Sequence, residues 1–192
     1  GSGREAMTTY TDDQLRELFD EREIRSLIYR YCRAVDRRQY DDLRACYHPE
    51  ATDHHGNFYG TVDEFVALVT DSLDMFERSL HFIGNLEIEV HGDTARSEAY
   101  VLALARVAAT DELPERDNVV ALRYLDDLER RNGEWRILRR VCSYEWTRTD
   151  PVGSGWVLPD NFVRGRRDRD DYVYLPELPV PKVVPTYVRR VL

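Results

Sequence analysis

Asp36 is the first residue whose surroundings ask for a chemical explanation. It follows Ile24, Leu27, Ile28, Tyr31 and Val35, whose three- and four-residue steps mark one apolar face of a helix. A carboxylate at the C-terminal end of such a helix gains nothing from the helix dipole. At the rim of an apolar face it can instead orient a base or support a developing cation. Tyr31 sits on the same stripe, where its ring alone explains it, yet its hydroxyl can also donate to a substrate oxygen or an oxyanion. On an ideal helix the two residues are about 140° apart, so both reach one cavity only if the helix ends near Val35.

Other chemistry-bearing residues are weaker candidates. Asp53, His54 and His55 invite a metal, but extended neighbours point to opposite faces and His48 adds no ordered ligand spacing, so no metal is expected. His55 and Tyr59 are placed at the mouth of a cavity as substrate contacts, with His54 and His91 on the surface. Arg123 interrupts the otherwise apolar VVALRYLDD, where it either pairs with an acid across a sheet or anchors an anionic or carbonyl group. Tyr100 and Arg106 are candidate wall residues. Cys142 reads as a small buried apolar group with no adjacent base to activate it. Gly153-Ser154-Gly155 is too short for a phosphate loop and follows no suitable strand. No cofactor is expected.

The elements that must position these residues are legible in part. Thr11-Asp12-Asp13-Gln14 forms a capping box for a first helix running to about Val35. A brief second helix near residues 40–47 is stopped by Pro49, and a loop with one or two short strands follows. Thr61-Val62-Asp63-Glu64 caps a third helix, whose stripe of Phe65, Leu68, Val69, Leu73 and Phe76 runs to about Ser79. From residue 80 the apolar period becomes two, with strands near 80–90, 95–108, 117–130 and 134–147. His91-Gly92-Asp93 and Asn132-Gly133 are turn signals, the second a strong hairpin signature. Helices followed by long antiparallel strands make an α+β domain.

With 192 residues, the chain has length for one domain with a substantial core, placed at residues 7–149. Gly1 to Ala6 read as vector-derived, with Met7 the natural start. Residues 150–192 form a proline-rich extension, its GRRDRDD phrase read as solvated charge. The remainder is an extended arm lying over its own domain or a neighbour's. The net charge of -9 leaves no basic surplus for phosphates, so nucleic-acid binding is not expected. No run of about 18 apolar residues is present, so no membrane partner is expected. Cys32, Cys46 and Cys142 are an odd, widely spaced set, which points to reduced thiols and a cytoplasmic location.

The phrases YRYCRAVDRRQYDDLRACYHPEATDHHGNFYG, HFIGNLEIEV and RYLDDLERRNGEWRILRRV resemble SnoaL-like members of the nuclear transport factor 2 superfamily. The resemblance covers roughly residues 12–147. It implies a cone in which three N-terminal helices pack on a strongly curved mixed sheet enclosing a cavity. Within that superfamily, AVDRRQ and HFIGNLEIE are similar to the aspartate and histidine segments of the hexachlorocyclohexane dehydrochlorinase. Scytalone dehydratase and bile acid 7-alpha-dehydratase share the same pair. Carried over, Asp36 and His81 form a dyad, and Tyr31 resembles a pocket tyrosine of the bile acid enzyme.

The chemistry of that dyad is ordinary. An imidazole with a pKa of about 6.5 can take a proton at neutral pH, and a carboxylate on its other nitrogen fixes the tautomer. Strict alternation, however, sets Phe82, Leu86, Ile88 and Val90 on the apolar face and His81 with Glu87 and Glu89 on the other. A bulge at Gly84, or burial of both faces in an oligomer, would bring His81 inward. The implied function is a cofactor-independent, dehydratase-like lyase on a small, mostly apolar aromatic or cyclic substrate. Isomerisation or retro-aldol cleavage in the same pocket, a non-catalytic binding role and an oxygenase small subunit are the alternatives. The second strand is apolar on both faces, so a homo-oligomer is expected; the resemblance to dehydratase-type relatives, which are often trimers, implies a trimer before a dimer.

Overall fold

The structure is a computed structural model that describes residues 9–72, 75–153, 158–159 and 162–178. Among the described residues three α-helices and six strands follow in the order α1 (Asp12–Asp36), α2 (Tyr40–Ala45), β1 (Tyr47–His55), β2 (Phe58–Thr61), α3 (Val62–Ser72), β3 (Phe76–His91), β4 (Thr94–Val107), β5 (Arg116–Arg131) and β6 (Glu134–Pro151), with a short 3-10 turn at Tyr172–Tyr174. The capping box that opens α1 is formed: Thr11 Oγ1 accepts the Gln14 N–H at 3.2 Å, and Gln14 Oε1 accepts the Thr11 N–H at 3.0 Å. Thr61 and Glu64 make the same reciprocal bonds at the start of α3. The α1 stripe of Ile24, Leu27, Ile28, Tyr31 and Val35 is buried. Each such side chain is worth about 1.5–3 kcal/mol. Asp20 is buried on the same helix because it accepts from the Trp135 indole N–H at 2.9 Å and Arg130 Nη1 at 2.6 Å, which ties α1 to β5 and β6.

The α+β plan holds, with a mixed sheet in the order β2-β1-β6-β5-β4-β3, parallel among the described strands only between β1 and β6. The two-residue Asn132-Gly133 turn joins β5 to β6 with φ of 54° and 80°, the left-handed pair a tight hairpin needs. The third helix is shorter than its stripe suggested: α3 stops at Ser72 and Phe76 already belongs to β3. Leu73 lies outside the described residues.

One expectation is overturned. The sheet is not strongly curled and does not enclose a cavity. It is an open sheet whose edges, the four-residue β2 and the sixteen-residue β3, stand at opposite ends of the strand order and share no ladder. Closure needs every edge group to find a partner, and so short an edge cannot supply them for so long a strand. Bulges in β3 and β6 redirect strands locally without joining the edges. Clefts therefore form between the helices and one sheet face.

That inner face carries a buried charge. Arg140 on β6 is fully buried and donates through Nε and Nη2 to Asp126 Oδ1 at 2.7 Å and Oδ2 at 2.6 Å. Its guanidinium lies 4.0 Å from the Tyr31 ring centroid and 4.1 Å from that of Tyr124. The outer face has Leu80, Phe82, Tyr100, Leu102 and Trp146 exposed.

The described part of the C-terminal segment packs on the end of α1. Arg167 donates from Nε to the Asp36 carbonyl at 3.1 Å and from Nη1 to the Phe76 carbonyl. Asp171, buried, faces Arg37 at 3.4 Å, and Arg169 reaches Asp42 at 2.8 Å. GRRDRDD is thus not merely solvated charge: cations there meet the carbonyl-rich end of a helix. Most of the proline-rich arm, residues 179–192, lies outside the described residues.

Replacing Asp126 by Asn keeps the shape but leaves the Arg140 charge uncompensated in the core. A loss of about 3–5 kcal/mol is expected, measured by urea unfolding.

Candidate active site

His81 faces inward because β3 changes parity. Ile83 pairs with Val101 and Leu86 with Ala99, so Gly84 and Asn85 together stand against Tyr100, a bulge of one extra residue. Upstream of it Ser79, His81 and Ile83 turn toward the helices, and downstream Leu86, Ile88 and Val90 do. Phe82, expected on the apolar face, is instead 63% exposed on the outer face. On the inner face His81 stands beside Ala103, and Ala103 beside Val120.

Helix α1 delivers its terminal residue to that imidazole. Asp36 Oδ1 accepts from His81 Nδ1 at 2.8 Å, and Oδ2 accepts the His81 backbone N–H at 2.9 Å. Both side chains are largely buried, 9% exposed for Asp36 and 14% for His81. Burial alone would raise the Asp36 carboxyl. The hydrogen bond and charge of the His81 ring, with the backbone N–H, outweigh it and hold Asp36 below the usual carboxylate range. The two-point contact fixes the ring with Nδ1–H toward the carboxylate, leaving Nε2 as the acceptor.

Two clefts meet at His81. One, of about 340 Å³, is lined by Asp36, His81, Cys32, Arg33, Arg37, Tyr29 and Val173 of the C-terminal segment. The other, of about 320 Å³, lies between α1, α3 and the inner sheet face. Its walls include Tyr31, Val35, Phe65, Leu68, Val69, Val120, Leu122 and Tyr124, with His81, His55, Asn118 and Tyr144 as polar groups. Asp36 thus stands behind the histidine, which alone of the two reaches the apolar cleft, even though α1 runs through Asp36 rather than ending at Val35.

Of the sequence candidates, the structure brings Tyr31, His55 and His81 to this cleft. Tyr31 is 1% exposed. Burial raises its hydroxyl well above the ordinary phenol value, so it stays a protonated donor. Tyr59 is exposed on β2 against His54, and Tyr100 and Arg123 lie on the outer face. Arg123 is held there by Glu98 at 2.6 Å and Glu145 at 2.7 Å, the cross-sheet pairing. Arg106 likewise pairs with Asp117 at 2.8 Å.

A SnoaL-like domain profile matches residues 16–141 of the chain. The chain belongs to the SnoaL-like family. Rv2910c of Mycobacterium tuberculosis (strain H37Rv) is 34% identical over 130 residues, 65% of this chain and 85% of that protein. Among solved structures, hexachlorocyclohexane dehydrochlorinase LinA-type3 of Novosphingobium barchaimii LL02 superposes with a TM-score of 0.64 at 21% identity, covering 76% of this chain and 99% of its own. Kfla4162 of Kribbella flavida gives 0.63 at 20% identity, covering 69% and 95%. These likenesses establish the shared fold.

In this SnoaL-like chain two site features escaped the sequence. Arg140 was hidden by the bulge at Leu138, which shifts the phase between Ile137 and Arg140 so that both turn inward. Cys142, read as having no adjacent base, has His55 Nδ1 at 3.2 Å from its sulfur. Counting back by two from the cleft residue Tyr144 would have flagged both.

Because Asp36 has a lower pKa folded than unfolded, its pair contributes fully above about pH 4 and is lost as pH falls through the folded value. Thermal unfolding between pH 7 and pH 2 should show a steeper acid loss of stability in the wild type than in Asp36→Asn.

Proposed function

We propose that the chain is a cofactor-independent lyase that catalyses a dehydratase-like elimination on a small, mostly apolar aromatic or cyclic substrate. The observation that carries this reading is the His81 imidazole, fixed at 2.8 Å by the Asp36 carboxylate and lining a cleft of chiefly apolar side chains. His81 Nε2 would take a proton from a carbon activated by a neighbouring carbonyl or aromatic ring. The electron pair of that C–H bond becomes the new double bond as the C–O bond to the leaving hydroxyl breaks, and the proton held on the His81 imidazolium passes to that oxygen so that it departs as water. Asp36, held ionised, supports the imidazolium. Tyr31, kept protonated by burial, donates to the oxygen that gains charge. The dehydrochlorinase named among the structural neighbours performs, by its name, an elimination, which supports the reaction class.

The apolar outer face around Phe82, Tyr100, Leu102 and Trp146 supports self-association, a trimer by the resemblance given above. His55 is the remaining substrate contact of this reading. The same base also fits isomerisation or retro-aldol cleavage, which product analysis separates from loss of water.

The test offers the purified chain small cyclic ketones with a β-hydroxyl group and follows the ultraviolet absorbance of the conjugated product. His81→Ala is expected to lower turnover by roughly 10²–10⁴ while the circular dichroism stays unchanged. Elimination that proceeds in His81→Ala at the wild-type rate would overturn the proposal.

A further inference from the structure

At the other end of the cleft, four strands from His81 in the sheet order, a second polar group is assembled on β1 and β6. Asp53 and His55 alternate on β1 and so share its inner face, and Cys142 joins them from the adjacent β6. His55 Nδ1 lies 3.2 Å from Cys142 Sγ and 3.6 Å from Asp53 Oδ1, and no two of the three donor atoms are more than 4.8 Å apart. Tetrahedral zinc with its usual bond lengths sets N···S and N···O edges at about 3.4–3.6 Å.

A second observation is independent of that spacing. Asp53 is fully buried; its Oδ2 accepts the Tyr47 hydroxyl at 2.6 Å, while Oδ1, the oxygen turned to His55, has no hydrogen-bond partner among the described residues. An orphaned buried carboxylate oxygen is costly and calls for a cation or donor. The surroundings also hold the ligands still. Tyr47 orients the carboxylate from behind, and Phe65 stacks on the His55 ring at 5.3 Å.

We propose that Asp53, His55 and Cys142 form a binding site for a borderline-soft divalent metal ion of the Zn²⁺ class. The carboxylate and a thiolate supply two negative charges and neutralise the ion, with the neutral imidazole as third ligand. Binding displaces the Cys142 proton to solvent and replaces the sulfur–imidazole hydrogen bond with two metal bonds. Three protein ligands leave a fourth position beside Tyr144 and the cleft, the count of a site that also accepts solvent or a ligand oxygen. This site is independent of the Asp36–His81 reading, since metal can bind whether or not His81 moves a proton.

Cobalt tests it directly. The full-length chain, reduced and stripped with a chelator, is titrated with Co²⁺ alone. The expected result is a thiolate-to-cobalt charge-transfer band in the near ultraviolet, with intense visible bands of tetrahedral cobalt. These should saturate at one ion per chain and vanish on adding Zn²⁺. Cys142→Ser should abolish the ultraviolet band. His55→Ala, at a partly exposed position that tolerates truncation, should weaken binding by about ten-fold or more. Cys46→Ser, a buried thiol outside the cluster, should leave the spectrum unchanged. Only weak octahedral bands in the wild type, or a charge-transfer band that survives both Cys142→Ser and His55→Ala, would overturn the site.

Discussion

A guanidinium with no access to water lies at the centre of this fold. Arg140 is clamped by the two oxygens of Asp126 and faced by the rings of Tyr31 and Tyr124. A buried cation is tolerable only when its partners are placed to within tenths of an ångström, so it constrains every element that supplies one. Tyr31 comes from α1, Tyr124 and Asp126 from β5, and Arg140 itself from β6. With Tyr31 pinned, α1 has a fixed rotation over the sheet, and its last residue, Asp36, is carried to β3. The position of the candidate base thus rests on a charge far along the sheet.

The site depends equally on a local irregularity. A regular β3 would have turned His81 outward with Leu80 and Phe82 turned in, because side chains alternate without exception along an unbroken strand. One extra residue at Gly84-Asn85 reverses the first half of the strand and leaves the second half packed as its apolar pattern requires. The cost is visible on the outer face, where Leu80 and Phe82 are left to solvent. Exposed apolar surface there and a buried histidine within are two results of the same bulge.

Ionic contacts close the other side of Asp36. The C-terminal segment brings Arg167 to the last carbonyl of α1 and Asp171 to Arg37, beside the Asp36–His81 pair. A helix end is the natural dock for such cations, since its final carbonyls have no partners within the helix. The segment also contributes Val173 to the cleft behind the pair, so the surroundings of Asp36 are set by residues more than a hundred positions away.

Local information was sufficient for much of this. The capping boxes at Thr11 and Thr61, the α1 stripe, the Asn132-Gly133 hairpin and the change to period two each depend on neighbours within a few residues, and each is present in the structure. The family resemblance added the pairing of Asp36 with His81, which no local pattern contains because 45 residues separate them. What the sequence did not carry was phase and closure. The bulge at Gly84-Asn85 and the one at Leu138 are choices between nearly equal local conformations, decided by which side chains the sheet must bury. They placed His81 and Arg140 inside. The sheet's open form was likewise invisible, because whether two edges meet is a property of all six strands together. The approach of His55 to Cys142, 87 residues apart, belongs to the same class. Only the parallel pairing of β1 with β6 brings that histidine and that sulfur into contact.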